Sequence, residues 1–327
     1  SIERGKGDLT EAERIMGNSF TLLMIFAVAL TLLGEVFLRP ILMAFGASSD
    51  TIGYAMDYGR IYLAGNVFVL ISLGMNNFIN AQGFGMTGML TVSIGAVLNL
   101  ILDPLFIFVL HMGVRGAALA TIISQGISAI WVLHFLTGKK AILTLSLAYM
   151  KLDFRLVKEI CALGLAGFIM SITNGSVQIV CNATLSRYGG DLYVGIMTVI
   201  NSVREIITMP VTGLTSGAQP VMSFNYGAGK HARVKSAIKF TTIVCILFSC
   251  FMWALLLAFP RFFIHMFNSE PELLAEGVPA MHLYFFGIFM MSLQFAGQST
   301  FTALGKAKQA VFFSLLRKAI IVIPLTL

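Results

Sequence analysis

Apolar stretches long enough to cross a lipid bilayer recur along the whole chain, with short polar links between them. A helix rises about 1.5 Å per residue, so about 20 apolar residues cross a hydrocarbon layer of about 30 Å. Only 11% of the residues are charged, against about a quarter in soluble domains. The sequence therefore predicts an all-α integral membrane protein. Nine stretches qualify, at 19–38, 58–80, 88–110, 116–137, 159–185, 192–216, 237–259, 278–303 and 308–327.

The basic residues of the chain lie mainly in the polar links, where they act as topology signals rather than as a nucleic-acid surface. If the segment before the first stretch is cytoplasmic, most of them fall on the cytoplasmic side, including those of the link 139–158. We therefore expect a multi-pass protein of the plasma (inner) membrane with this orientation and no nucleic-acid partner. The polar first residues, without an initiator Met, predict a chain that begins inside a longer protein.

An internal repeat is visible when the chain is compared with itself, because four pairs of identical residues are separated by one constant interval. Six predicted helices lie between equivalent points, and an even number returns each copy to the same orientation. The pattern predicts two parallel six-helix repeats that form two lobes around a central cavity. We assign 1–138 to the N-terminal lobe, 139–158 to a cytoplasmic linker and 159–327 to the C-terminal lobe. The pairs are Tyr62 and Tyr284, Gly65 and Gly287, Gly83 and Gly305, and Arg39 and Arg261.

Asp103 is an acidic side chain inside an apolar stretch, where a carboxylate persists only with a partner or a role. Asn99 precedes it by one helical turn, so the amide and the carboxylate share one helix face. Pro104 should loosen the helix at the turn of Asn99 and free a carbonyl group. The combination predicts an H⁺ or Na⁺ site, and a structural hydrogen bond to a neighbouring helix is the alternative.

Arg204 and Glu205 also lie near the middle of a predicted span, as do Arg317 and Lys318. A buried polar network between the two helices would neutralise Glu205, and a second coupling site is the alternative. Neighbouring side chains on a helix point about 100° apart, so we expect Arg204 and Glu205 to have different partners.

Several amides lie inside the predicted spans of the second lobe, together with methionines that suit an adaptable apolar cavity. They are candidates for a substrate cavity, although amides also join transmembrane helices to one another. The candidate residues are Asn174, Gln178, Met290 and Gln294.

The segment from Gly213 to Gly229, GLTSGAQPVMSFNYGAG, resembles a signature of the MATE family, the multidrug and toxic compound extrusion transporters. The segments 76–83 and 99–106 resemble the fourth and fifth helices of that family. The resemblance covers the whole chain as helices three to eleven of a bacterial member, so we expect the first two helices and the last to be missing. It implies antiport by alternating access, in which entering H⁺ or Na⁺ drives out amphipathic, often cationic, compounds.

For the ion site, the resemblance implies Asn99 and Asp103, with Asn76 and Thr121 as further members. The family's carboxylate on the first helix is absent from this chain. The stretch 159–185 holds no acid apart from Glu159 at its start, so we place cation coupling in the N-terminal lobe. Na⁺ could bind at Asp103 and Asn99. We expect no other cofactor, a small amphipathic substrate, the lipid bilayer as surroundings and a monomeric protein.

Three other functions compete with this interpretation. A lipid-linked oligosaccharide flippase of the same superfamily would use cationic residues to bind a pyrophosphate. The residues Arg204, Arg317 and Lys318 are consistent with that alternative. A major-facilitator transporter would also show parallel repeats, but its loop signature is absent. An intramembrane enzyme would need a nucleophile or a metal set at membrane depth, and the five histidines supply neither, so we expect no enzyme.

Overall fold

The structure is a computed structural model that describes residues 1–44, 49–267 and 270–316, together with Pro324. Every regular element in these residues is helical. The first part of the chain forms α1 (Ile2–Lys6), α2 (Leu9–Ala44), α3 (Ile52–Ala64), α4 (Asn66–Leu70), α5 (Asn76–Ala81), α6 (Gly85–Pro104) and α7 (Gly113–Thr137). The second part forms α8 (Phe154–Gly227), α9 (His231–Ala258), α10 (Pro260–His265), α11 (Pro271–Phe285), α12 (Ile288–Ala303) and α13 (Ala307–Leu315).

Six helical segments of the described chain are long and apolar enough to cross a membrane, and two bent helix pairs bring the number to eight. The predicted spans are recovered, with one difference in how the elements divide. The stretches 159–185 and 192–216 belong to the single element α8, which is interrupted at Gly190 (φ 65°, ψ −166°). The ninth stretch begins in α13, and half of its residues lie outside the described part of the chain. The prediction of an all-helical membrane protein is confirmed.

The internal repeat is also confirmed, because equivalent glycines have equivalent backbone conformations. Gly65 lies at the break between α3 and α4, where the helix pair bends by 58°. Gly287 lies at the break between α11 and α12, where the bend is 46°. Gly83 and Gly305 both have positive φ, 89° and 71°, a conformation that glycine adopts without steric strain. Each repeat therefore contains one long helix broken at the same point.

The described residues separate into two compact units. The first contains Gly7–Ile160 with Ser1 and Glu3, and the second contains Cys161–Leu327 with Ile2 and Arg4–Lys6. Each unit has its own apolar core, and each also carries large apolar side chains on its outer surface, as lipid contact requires. Core residues of the first unit include Met16, Met75, Ile79, Val132 and Leu136, and those of the second include Ile207, Leu256, Ile264, Met281 and Phe285.

Residues 139–158, the polar link after α7, fold onto the first unit. The amide oxygen of Gln82 accepts hydrogen bonds from the backbone N–H groups of Ile142 (2.8 Å) and Leu143 (2.9 Å). Glu13 of α2 accepts two hydrogen bonds from Thr144, at 2.8 and 2.9 Å. Leu143 and Leu145 are buried in the core of this unit. The link is therefore a docked segment with specific partners.

Two ion pairs hold the end of the same link against the start of α2. Arg14 lies 2.9 Å from Asp153, and Arg155 pairs with Glu11. Asn18 accepts a hydrogen bond from the backbone N–H of Asp153 at 2.7 Å. The beginning of α8 is thereby positioned next to α2.

Candidate functional site

The seam between α6 and α7 carries the predicted ion site. Small buried residues of α6, Gly88, Thr91 and Gly95, follow one face of that helix and allow a close approach. A Cβ atom on Gly95 would lie 2.7 Å from the hydroxyl oxygen of Ser128 on α7. The Ser128 hydroxyl donates to the backbone oxygen of Thr91 at 3.0 Å. The two antiparallel helices are thus closely packed and cross-linked by hydrogen bonds.

Three of the four predicted ion-site residues meet at this seam. The side-chain N–H₂ group of Asn99 donates to Asp103 Oδ1 at 3.2 Å and lies 3.4 Å from the Thr121 hydroxyl oxygen. Thr121 donates to the backbone oxygen of Ala117 at 3.0 Å, so its hydroxyl is free to accept from Asn99. All three side chains are half-buried. The arrangement joins a carboxylate, an amide and a hydroxyl on two helices.

The carboxylate of Asp103 is incompletely satisfied. Among the described residues it has the one donor, Asn99, and it takes part in no ion pair. A half-buried negative charge with a single neutral donor is poorly compensated away from water. A carboxylate of this kind, with a hydroxyl oxygen nearby, offers the oxygen ligands that a proton or a small hard cation needs.

The helix around Asp103 differs from the expectation in one respect. Pro104 was expected to loosen the helix at the turn of Asn99, and that expectation is wrong. The α-helix continues to Pro104, and a π-helical segment, Leu105–Val109, follows it. The irregular backbone therefore lies directly after the carboxylate. Such π-helical segments often occur at functional sites, where they change the direction of the following side chains.

Asn76 does not join this group of residues. Its side-chain N–H₂ group donates to the backbone oxygen of Gly88 at 3.0 Å. Along the axis of α6, Gly88 and Asn99 are about 16 Å apart, at the usual rise of about 1.5 Å per residue. The Asn76 side-chain oxygen is buried without a described partner. The structure thus places Asn76 as a cross-link between α5 and α6, away from Asp103.

A cavity of about 550 Å³ lies within the second unit and gathers three of the four predicted cavity residues, Asn174, Gln178 and Gln294. Met290 does not line it; this side chain is 60% exposed, and Met291 contributes to the wall instead. The wall mixes amides and hydroxyls with a few apolar side chains. Its other residues are Val177, Cys181, Met197, Asn201, Arg204, Glu205, Thr208, Thr212, Tyr284, Phe295 and Gln298.

Arg204 and Glu205 both line this cavity and pair with each other, at 3.2 Å between Arg204 Nη2 and Glu205 Oε1. The expectation that they need different partners is therefore wrong: the long arginine side chain bends back to its neighbour. Arg204 Nη1 also donates to the Tyr284 hydroxyl at 3.2 Å. Glu205 is more exposed than a buried network would allow. Arg317 and Lys318, the other proposed members, lie outside the described residues.

Sequence reasoning missed several residues of the cavity. Tyr284 carried a signal, because it is the repeat equivalent of Tyr62, but its contact with Arg204 joins α8 to α11 and depends on tertiary packing. Asn201 precedes Arg204 by three residues, so it shares a helix face with it and could have been found by that spacing. Gln298 is one of the amides inside the predicted spans and lies one turn after Gln294 on the same face, but it was not among the predicted cavity residues.

The fold and these sites define a multi-pass helical membrane protein made of two repeated units, each with a polar site between its helices. A family model described as MatE matches residues 1–105 and 167–327, which is most of the chain. The chain belongs to the MatE family.

Curated relatives and solved structures agree with this assignment. Multidrug export protein MepA of Staphylococcus haemolyticus is 27% identical over 282 residues, covering 84% of this chain and 61% of its own length. MepA of Staphylococcus aureus strain MSSA476 is 25% identical over 281 residues, covering 85% and 61%. The chain therefore spans about three fifths of the length of these relatives.

Two solved structures have the same fold. A MATE protein in its bent conformation matches with a TM-score of 0.93 and 19% identity, over 99% of this chain and 72% of that one. A MOP superfamily transporter from Pyrococcus furiosus also has a TM-score of 0.93 and 19% identity, over 99% and 73%. At this level of identity the likeness concerns the fold alone.

Proposed function

We propose that the protein is a secondary active transporter that exports amphipathic, often cationic, compounds in exchange for H⁺ or Na⁺. Membership of the MatE family and the multidrug export function named for its MepA relatives support the class of transport. The observation that carries the ion coupling is the half-buried Asp103 carboxylate, which has one described donor and lies on a closely packed helix seam. We place the transporter in the plasma membrane as a monomer, with the segment before α2 cytoplasmic.

The coupling step follows from the hydrogen-bond directions at this seam. Asn99 presents its N–H₂ group to both Asp103 and Thr121. A protonated Asp103 gains an O–H donor and a sodium ion requires oxygen ligands, so in either case ion binding favours a turn of the Asn99 amide that presents its oxygen. That turn removes the hydrogen bond from Asn99 to Thr121 and changes the link between α6 and α7. Ion binding is thereby converted into a change in helix packing.

Exchange requires that the ion and the exported compound favour different states of the protein. A ligand that binds both states equally cannot shift their equilibrium. The ion would act at Asp103 in the first unit, and the compound would bind in the cavity of the second unit, where Asn174, Gln178 and Gln294 offer hydrogen-bonding groups beside apolar side chains. Alternating access then couples the two occupancies.

The test uses the full-length protein reconstituted in liposomes, with efflux of the dye ethidium driven by a pH gradient or by a Na⁺ gradient. Asp103→Asn should lower gradient-driven efflux at least about tenfold, the effect of losing about 1.4 kcal/mol of coupling. Asp57→Asn is the matched control, because it removes a carboxylate of the same unit that pairs with Arg115 at 3.0 Å. The control should keep most of its activity. Full gradient-driven efflux by Asp103→Asn would disprove the coupling role.

The charge of the cavity distinguishes export of cations from flipping of a lipid-linked diphosphate. A diphosphate would require an excess of positive charge in the wall. In the described wall the single arginine, Arg204, is paired with the single acid, Glu205, so these two charges cancel. This balance favours compounds without a diphosphate group.

A further inference from the structure

The ion pair in the second unit's cavity joins two consecutive residues of α8, Arg204 and Glu205, which is unusual for a helix. Consecutive helical side chains project about 100° apart and do not face each other. Arg204 reaches Glu205 only by bending across the helix surface, and the distance of 3.2 Å comes from side-chain flexibility rather than from backbone geometry. Either side chain can therefore leave the other without any change in α8.

The two partners are anchored to different degrees. Arg204 keeps a second contact, the hydrogen bond from Nη1 to the Tyr284 hydroxyl on α11, when Glu205 is removed. The Arg204 side chain is 26% exposed, and that of Glu205 is 63% exposed. Glu205 makes no other described side-chain contact, so its second carboxylate oxygen is open to the cavity. The acid is the exposed, exchangeable member of the pair, and the arginine is the fixed one.

The remaining wall suits a ligand that donates hydrogen bonds or carries positive charge. The side-chain oxygen of Gln294 is buried and has no described partner. Asn174, Gln178 and Asn201 also make no described side-chain hydrogen bond, so their oxygens are open to a ligand. Met197, Met291 and Phe295 supply polarisable apolar surface next to these oxygens, which suits the apolar part of an amphipathic cation.

We propose that Glu205 is the carboxylate that receives the cationic group of the exported compound, and that Arg204 is a resident counter-ion which the compound displaces. This inference rests on the proposed export function and specifies its substrate charge. An exposed ion pair changes an equilibrium by at most about fivefold, so a cation can displace the arginine at little cost. In the empty cavity the Arg204–Glu205 pair leaves the two charges balanced, and when a cation displaces Arg204 the arginine stays bound to Tyr284.

The experiment compares two probes of the same shape and opposite charge, tetraphenylphosphonium and tetraphenylborate, binding to the purified full-length protein in nanodiscs without any ion gradient. Glu205→Gln should weaken tetraphenylphosphonium binding about threefold to fivefold and strengthen tetraphenylborate binding, since Glu205 is 63% exposed and the loss of one exposed charge pair changes an equilibrium by at most about fivefold. Arg204→Gln should do the opposite, because it frees Glu205. In the double variant, Arg204→Gln with Glu205→Gln, both probes should bind with similar, low affinity.

Glu276→Gln is the matched control within the same unit. Glu276 accepts a hydrogen bond from the Tyr193 hydroxyl at 3.1 Å and does not line the cavity, so binding of both probes should stay unchanged. An unaltered ratio of the two affinities in Glu205→Gln would overturn the inference. So would a loss of cation binding in Arg204→Gln as large as that in Glu205→Gln, because the pair would then be structural.

The outcome is separable from that of the export proposal. The binding experiment uses no ion gradient, so its result does not depend on coupling at Asp103. A negative result for Glu205 would leave the Asp103 experiment to decide the export proposal, and a negative result for Asp103 would leave the probe-binding result unchanged. If Glu205→Gln does not fold, Arg204→Gln still tests the inference, since a displaced counter-ion predicts tighter cation binding in that variant and a structural pair predicts weaker cation binding.

Discussion

Gly17 on α2 lies against the backbone of the docked link and provides a direct test of that docking. A Cβ atom at Gly17 would lie 2.4 Å from the backbone oxygen of Tyr149 and 2.7 Å from its carbonyl carbon. Ordinary contacts begin at 3.4 Å, so Gly17→Ala requires the link to move by about 1 Å. The obstacle is backbone, which cannot rotate away as a side chain can.

The size of the effect follows from the hydrogen bonds beside Tyr149. Asn18 donates to the Tyr149 backbone oxygen at 3.4 Å and accepts from the Asp153 N–H at 2.7 Å. Thr21 donates to the backbone oxygen of Met150 at 2.8 Å. Losing two or three such bonds costs about 2–3 kcal/mol, and replacing a helical glycine by alanine returns about 1 kcal/mol. The net loss is about 1–2 kcal/mol, or roughly 2–8 °C in Tm.

The assay combines thermal unfolding in detergent with limited trypsin digestion of the link. Three lysines of the link, Lys139, Lys140 and Lys151, are exposed. Lys151 lies between Met150 and Asp153, whose backbones are bonded to α2, so its cleavage should be faster in Gly17→Ala. Lys139 and Lys140, at the other end of the link, report only on the protease. Gly126→Ala is the matched control: its Cβ would meet Phe68 at an ordinary 3.8 Å, so stability should be unchanged or slightly higher. Wild-type Tm together with wild-type cleavage at Lys151 in Gly17→Ala would refute the docking argument.

Two further substitutions test the cores of the two units. Gln82→Leu should lower the free energy of unfolding by about 2–4 kcal/mol, because Gln82 is 2% exposed and the backbone N–H groups of Ile142 and the buried Leu143 lose their acceptor. Asn77→Leu, at an exposed side chain bonded to its own helix, should change the free energy of unfolding little, and equal effects in denaturant titrations would contradict the assignment. Phe285→Ala should lower the Tm by an amount equivalent to about 2–4 kcal/mol, since the ring is fully buried. Phe286→Ala, at a 73% exposed position, should leave the Tm unchanged, and a similar Tm for both variants would show that the packing is misassigned.

The membrane architecture could be predicted from the sequence because it depends on local composition. A span needs only about 20 consecutive apolar residues, and that property is read directly from the chain. The repeat was also accessible, since Gly65 and Gly287 mark the same helix break in each copy. The pairing of Asn99 with Asp103 belongs to the same group, because residues one turn apart on a helix are neighbours whatever surrounds them.

Other features depended on contacts between different helices and segments, which the local sequence does not specify. The place of Asn76 followed from where α5 meets α6, and the docking of residues 139–158 followed from the surface that α2 presents to them. The Arg204–Glu205 pair contradicted a rule based on helix geometry, because a long flexible side chain can turn back when a tyrosine on another helix supports it.

The sequence by itself determined that this chain is a repeated helical membrane protein with a carboxylate and an amide on one helix face. The tertiary structure decided which oxygens and charges share a cavity, which glycine lies against a backbone carbonyl and which amide lies away from the ion site. The physical reason is that helix formation in a bilayer is set by neighbouring residues, whereas polar side chains find partners wherever packing brings the helices together.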